Sequence, residues 1–146
     1  MRHCRQCQRQ NGSAFAVNAL IETDRVALLS GSIAEIIMTT PSGKGQTIAR
    51  CPKCMVTVWS HYDMGGLGNS ICFIRVGSLD QPELLPPDVH IFTSTRLPWV
   101  VLPPGVQATT AFYRFAETWS QDSLRRRDAL FEAAGIDRPA KRTHSK

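Results

Sequence analysis

Two Cys-x-x-Cys pairs, Cys4/Cys7 and Cys51/Cys54, constrain this chain more than any other feature. Each pair sets two sulfur donors on one side of a tight turn, half of the tetrahedral set that zinc takes. A fifth cysteine, Cys72, makes the count odd, so no closed disulfide framework is expected. In a reducing compartment, where structural disulfides are scarce, two such pairs point to metal. The redox alternative needs a strand before the pair and a long helix after it. Cys51-Pro52-Lys53-Cys54 runs instead into Met55-Val56-Thr57-Val58-Trp59, which reads as strand. Cys72 sits in the apolar run Ile71-Cys72-Phe73-Ile74 and is expected in the core. By spacing alone, the four paired cysteines either share one zinc or serve separate ions.

The chain has 146 residues, 42% hydrophobic and 20% charged, which suits one globular domain with its own core. No run approaches the roughly 18 apolar residues of a membrane helix. The opening Met1-Arg2-His3-Cys4-Arg5-Gln6 has no apolar stretch, so a secretory leader is not expected and a cytoplasmic location is. The formal charge is +5, with nine basic against seven acidic residues up to 110 and eight against five beyond. Arg125-Arg126-Arg127, Arg138, Lys141, Arg142 and Lys146 carry most of the excess. Consecutive residues on a helix lie about 100° apart, so the three arginines do not share a face. The tail reads as solvated charge rather than a nucleic-acid surface, and no membrane partner is expected.

Short β-prone runs separated by Gly, Pro and Asn turns predict a mainly β body. Strands are expected over 14–21, 33–40, 46–50, 55–62, 71–76 and 89–93, with a further extended run over 26–29. Gln8 to Ser13 is polar with an Asn11-Gly12 turn, and Pro41-Ser42-Gly43-Lys44-Gly45 reads as a hairpin loop. The Gly65-Gly66-Leu67-Gly68 loop lacks a following Lys-Ser/Thr and precedes a strand, so it is not a phosphate loop. Ser120 to Ala134 has helical spacing of Leu124, Leu130, Phe131 and Ala134, with Ser120 or Asp122 as cap and Gly135 as stop. Residues 138–146 hold too little apolar surface to order themselves. Trp59 and Trp99 are expected in the core, and His3 exposed beside Cys4. His90 alternates with Val89 and Ile91, as a structural histidine or a general base.

His3-Cys4-Arg5-Gln6-Cys7-Gln8-Arg9 followed by Gly12-Ser13-Ala14-Phe15 resembles the signature of the glutathione-dependent formaldehyde-activating enzyme (GFA) family. That family shares its domain with centromere protein V. Cys51-Pro52-Lys53-Cys54, Gly77-Ser78-Leu79-Asp80, His90-Ile91-Phe92 and Arg96-Leu97-Pro98-Trp99 follow in the appropriate order. The resemblance implies a β-tent fold of several small coiled sheets around zinc knuckles over 1–104, with a C-terminal helical and basic extension over 105–146. It implies a carbon–sulfur lyase acting on a glutathione–aldehyde adduct such as S-hydroxymethylglutathione.

The resemblance also assigns roles. Cys4 and Cys7 correspond to two of three ligands of a catalytic zinc; Cys51 and Cys54 to two of four ligands of a structural zinc. Arg2 stands where the third catalytic cysteine belongs, and Met55 where a glycine usually follows the later pair. The family's early Cys-x-Cys strand is absent from the given sequence, and a missing edge strand leaves homo-oligomerisation open. Arg5, Arg9 and Arg96 are candidates for the carboxylates of glutathione, and Ser13 for a substrate hydrogen bond. Of these, Arg5, Ser13 and Arg96 are taken as the substrate-binding set. The competing reading is a non-catalytic zinc-binding interaction module with a basic tail.

Overall fold

The computed structural model describes residues 1–137; Arg138, Lys141, Arg142 and Lys146 of the basic tail lie outside them. In chain order the elements are α1 (Arg5–Asn11), β1 (Asn18–Glu22), β2 (Ala34–Met38), β3 (Gln46–Arg50), β4 (Thr57–His61), β5 (Ile71–Arg75), β6 (Val89–His90), β7 (Gln107–Ala108), α2 (Phe115–Thr118) and α3 (Gln121–Ala133). The first five strands form one sheet in the order β1-β5-β4-β3-β2, and every pairing in it is antiparallel. β2 to β5 run as a meander because each is joined to the next by a turn, and β1 then adds to the free edge of β5. β6 and β7 make a separate parallel pair.

The turns come where the sequence placed them. Pro41–Gly45 joins β2 to β3, and Gly43 and Gly45 adopt φ of 76° and 74°, backbone that a side chain rarely tolerates. The glycine loop between β4 and β5 wraps the carboxylate of Asp63, which accepts from the N–H groups of Gly66 (2.7 Å) and Gly68 (3.1 Å) and from Lys44 Nζ (2.8 Å). The expected run over 26–29 is not a strand. It pairs with nothing, and Leu29 is 94% exposed, because β2 already ends the sheet on that side. Helix is also not confined to the end of the chain, since α1 and α2 precede α3.

The core lies where β5 meets α3. Leu67, Ile71, Phe73 and Phe131 are all buried together, with Leu20, Tyr62, Met64 and Leu130 packed around them. Ile71 and Phe73 share a face of β5 because strand side chains alternate, and Leu20 lies opposite Phe73 on β1. Ser120 caps α3 as expected, its hydroxyl accepting from the Ser123 N–H. Arg126 on that helix reaches Glu22 of β1 at 2.6 Å. From Phe92, just past β6, to Trp119, just past α2, the rings of Phe92, Phe112, Tyr113, Phe115 and Trp119 form a chain of contacts, closed by Trp119 Nε1 donating to Tyr113 Oη at 2.9 Å. Among the described residues no helix is long and apolar enough to cross a membrane.

Cys72 is fully buried in β5, as its apolar run predicts, and burial pushes its thiol up to about 11. Trp99 departs from expectation: it is 70% exposed, because Pro98 and the short turn leading to Val100 send Val100 inward instead. Phe131 is the α3 residue that closes the core, so Phe131→Ala should lower unfolding stability by about 3 kcal/mol in a denaturant titration. A loss under about 1 kcal/mol would show that α3 is not integral to the core.

Candidate functional site

Arg5-Gln6-Cys7-Gln8-Arg9-Gln10 are mostly good helix formers, and Gly12 at φ 59° ends their helix with its N–H on the Gln8 carbonyl. The first cysteine pair is therefore not the simple tight turn that its spacing suggested. Cys4 is the N-cap residue of α1, and Cys7 is buried one turn in. The Cys7 thiol donates to Cys4 sulfur, and backbone N–H groups of Cys7 and Gln6 add to it, with the Arg2 guanidinium nearby. These hold Cys4 down at about 5, while the same shared proton and burial push Cys7 up. The two thiols thus titrate as a pair, Cys4 pulled down and Cys7 pushed up by the contact between them.

The second pair forms the connection between β3 and β4. Cys51 N–H donates to the Val56 carbonyl at 3.0 Å, and Met55 N–H to the Cys51 carbonyl at 2.9 Å. N–H groups of Cys54 and Lys53 and the Cys54 thiol lower the Cys51 thiol. Met55 adopts φ 63°, left-handed backbone in which glycine is at ease and a side chain is not. The turn thus keeps the shape that glycine serves, with a methionine in it.

Each pair fits zinc in the chemistry of its donors, two sulfurs of which one is held below the usual thiol range. Neither fits in number: among the described residues no group of three or more His, Cys, Asp or Glu side chains is placed to hold an ion. The four cysteines are accordingly not gathered into one shared site. His3, expected to be exposed, is completely buried. Its Nε2 lies 3.0 Å from Nδ1 of His90, with the rings stacked at 5.3 Å, so the imidazole is turned to its partner rather than to Cys4. Burial, then the positive potential of His90, the N-terminus and Arg96, lowers His3 to about 4, and burial lowers His90 as well. Both rings are neutral at pH 7.

The substrate-binding candidates flank α1. Arg5 is exposed and donates to Gln8 Oε1. Gln8, buried and not singled out in the sequence, donates from Nε2 to the carbonyls of His3 (2.7 Å) and Thr95 (2.9 Å). Arg96 follows Thr95 and is half-buried with Nη1 on the Val100 carbonyl. Arg5 and Arg96 therefore stand on segments joined through one glutamine. Ser13 is exposed beyond Gly12, its hydroxyl donating to the Phe15 carbonyl at 2.6 Å, which is the turn-forming role. Trp59 is half-buried in β4.

Two cavities adjoin this framework. The larger, about 530 Å³, lies between β1 and the aromatic segment before α3, and none of the five cysteines lines it. The smaller, about 410 Å³, is bounded by the end of α1 and by Met55 and Val56 after the second pair.

Fold and thiol geometry together define a small, mainly antiparallel β domain that presents two separate cysteine pairs. Residues 1–95 match the family described as glutathione-dependent formaldehyde-activating enzyme, and the chain belongs to that family. Membership favours a glutathione-linked activity with a glutathione-like small molecule over a purely structural interaction module. No curated protein matches the chain significantly.

Two outcomes follow from the local chemistry. His3 binds its proton at about pH 4 when folded and at 6.5 when unfolded, so its contribution is full above 6.5 and is lost as pH falls toward 4. The thermal midpoint should fall between pH 6.5 and 4.5, and less steeply in His3→Phe; a flat wild-type profile would contradict the buried neutral pair. Met55→Gly should raise stability by about 0.5–1 kcal/mol in a denaturant titration, because it relieves the left-handed residue. Destabilisation by that change would show that the methionine packs usefully.

Proposed function

We propose that this chain makes or breaks the carbon–sulfur bond of a glutathione–aldehyde adduct of the S-hydroxymethylglutathione type. Family membership over residues 1–95, taken with a Cys4 thiol held low at the start of α1, carries the reading. We place the activity in the cytoplasm, where the glutathione pool keeps such thiols reduced. Zinc is the cofactor this reading assigns, with Cys4 and Cys7 as ligands at one place and Cys51 and Cys54 at another. Bound at the first pair, it would favour the thiolate form of an incoming thiol. Arg2, a cation where the family carries a further cysteine, weakens that pair's hold on a metal ion by charge repulsion.

The protein's own groups supply position and proton control. In the synthetic direction the substrate thiol gives up its proton, its sulfur attacks the aldehyde carbon, and the carbonyl oxygen gains a proton. The reverse direction returns both. Cys4 Sγ, held low by the donors around it, is the readier of the two to meet metal or substrate, and Cys7 would give up its proton where both ligate zinc. We assign Arg5 and Arg96 to the carboxylates of the glutathione part, since a guanidinium pairs with a carboxylate through two parallel N–H bonds. The Gln8 amide holds their segments together, and the Ser13 hydroxyl supplies a further polar contact at the mouth of α1.

The test is the rate of S-hydroxymethylglutathione formation from glutathione and formaldehyde, compared with the spontaneous reaction. The wild-type chain should exceed that rate, and Cys4→Ser and Cys7→Ser should each remove the excess together with bound zinc. An excess that survives both changes would overturn the assignment. Arg5→Gln should raise KM for glutathione about tenfold with little change in kcat, as loss of one ionic contact requires.

A further inference from the structure

We propose that the smaller cavity, walled by Arg50 and Arg75, binds a small molecule through an oxyanion group, a carboxylate or a phosphate. This goes beyond the reading above, because it uses neither the thiols nor the residues assigned to glutathione.

Arg75 ends β5 and is only 8% exposed. Its one side-chain hydrogen bond runs from Nη1 to Asn18 Oδ1 at 2.6 Å, a neutral amide, and its Nε is buried with no partner. Arg50 ends β3, lines the same cavity, and also has a buried Nε without a partner. No Asp or Glu occurs among the described residues lining the space. Buried guanidinium charge is costly unless an anion answers it, and buried donors are almost always satisfied. Here two arginines on one wall each keep a buried Nε without a partner, and no carboxylate among the described lining residues answers them.

The free edge of each side chain also specifies the ligand. The Nε–H and the adjacent amino group form the planar fork that receives carboxylate or phosphate oxygens in pairs. Backbone pairing brings the two arginines to the same end of the sheet: Arg50 lies opposite Thr57 on β4, and β4 pairs with β5. Phe15, Val17 and Val56 add apolar wall for an organic body, and the volume of about 410 Å³ is that of a small-metabolite site. Burial depresses the Arg75 guanidinium, the Cys7 sulfur opposes this, and Arg2 and Arg50 as like-charged neighbours add to it.

Isothermal titration of the full chain with inorganic phosphate and, separately, with acetate tests the site at constant ionic strength. Saturable one-site binding by either anion is expected, and the one that binds identifies the group. Arg50→Gln should weaken it at least about tenfold, the loss of a charge-assisted contact, while Arg114→Gln at an exposed ion pair should not. Arg75→Gln should do the same if it folds; the half-buried Arg50 carries the test if it does not. The bound anion should raise the thermal midpoint of the wild type and not of Arg50→Gln. Absence of saturation with both anions, or binding unchanged in Arg50→Gln, would overturn the proposal. Because no turnover is measured, the result is independent of the lyase assignment.

Discussion

His3 and His90 lie 87 residues apart in the chain, yet their ring nitrogens meet at 3.0 Å in a site closed to solvent. Around that contact the first residues are stitched on both sides. Arg2 exchanges backbone bonds with Ala16 at 2.8 and 3.0 Å, and His3 N–H reaches the Ile91 carbonyl at 3.0 Å. Cys4 and α1 begin immediately after this clamp, so the position of the first thiol pair depends on it. Thr95 and Gln8 reinforce the same point, both donating to the His3 carbonyl. A proton added to either ring would place charge in a buried stack that no acid among the described residues is seen to offset, which is why the clamp requires neutral imidazoles.

The second governing constraint is the imbalance of charge around the thiols. Cys4 is held well below the usual thiol range because donors converge on it: a thiol, two backbone N–H groups and a nearby guanidinium. Arg2, Arg50 and Arg75 each have a buried Nε without a hydrogen-bond partner. Arg2 lies over the Phe92 ring at 5.5 Å, a cation–aromatic contact that partly compensates its burial. The resulting positive field suits anionic partners, whether thiolates, carboxylates or phosphates, and works against a third metal-binding thiolate position at Arg2. One set of residues thus favours an anionic small molecule and limits the metal chemistry that the family signature implies.

Much of the framework was legible from the chain. The turns at Pro41–Gly45 and within Cys51–Cys54, the strands through Ile36, Ile48, Trp59 and Phe73, the buried Cys72 and the Ser120 cap all follow from local pattern and turn chemistry. The short helix at Cys4 was not, because a seven-residue helix has too little length for an apolar period and Asn11-Gly12 signals a turn equally well as a helix end. Trp99 and the run near Leu29 mislead for a shared reason: apolar composition promises burial only when a partner surface exists, and composition says nothing of partners. Arg50 and Arg75 were overlooked because polar residues at strand ends usually face water, and Gln8 because a glutamine in a polar segment usually does.

The sequence by itself determined the chemistry on offer: two cysteine pairs, a mainly β body, a capped C-terminal helix and a family signature over its first two thirds. Those features are local, set by residues within a few positions of one another. Tertiary structure alone decided which groups meet. It buried His3 against His90, kept the cysteine pairs apart, and brought Arg50 and Arg75 to one cavity without an acid to answer them. Such contacts depend on strand order and on what covers each face, and no local pattern encodes the sum of those choices.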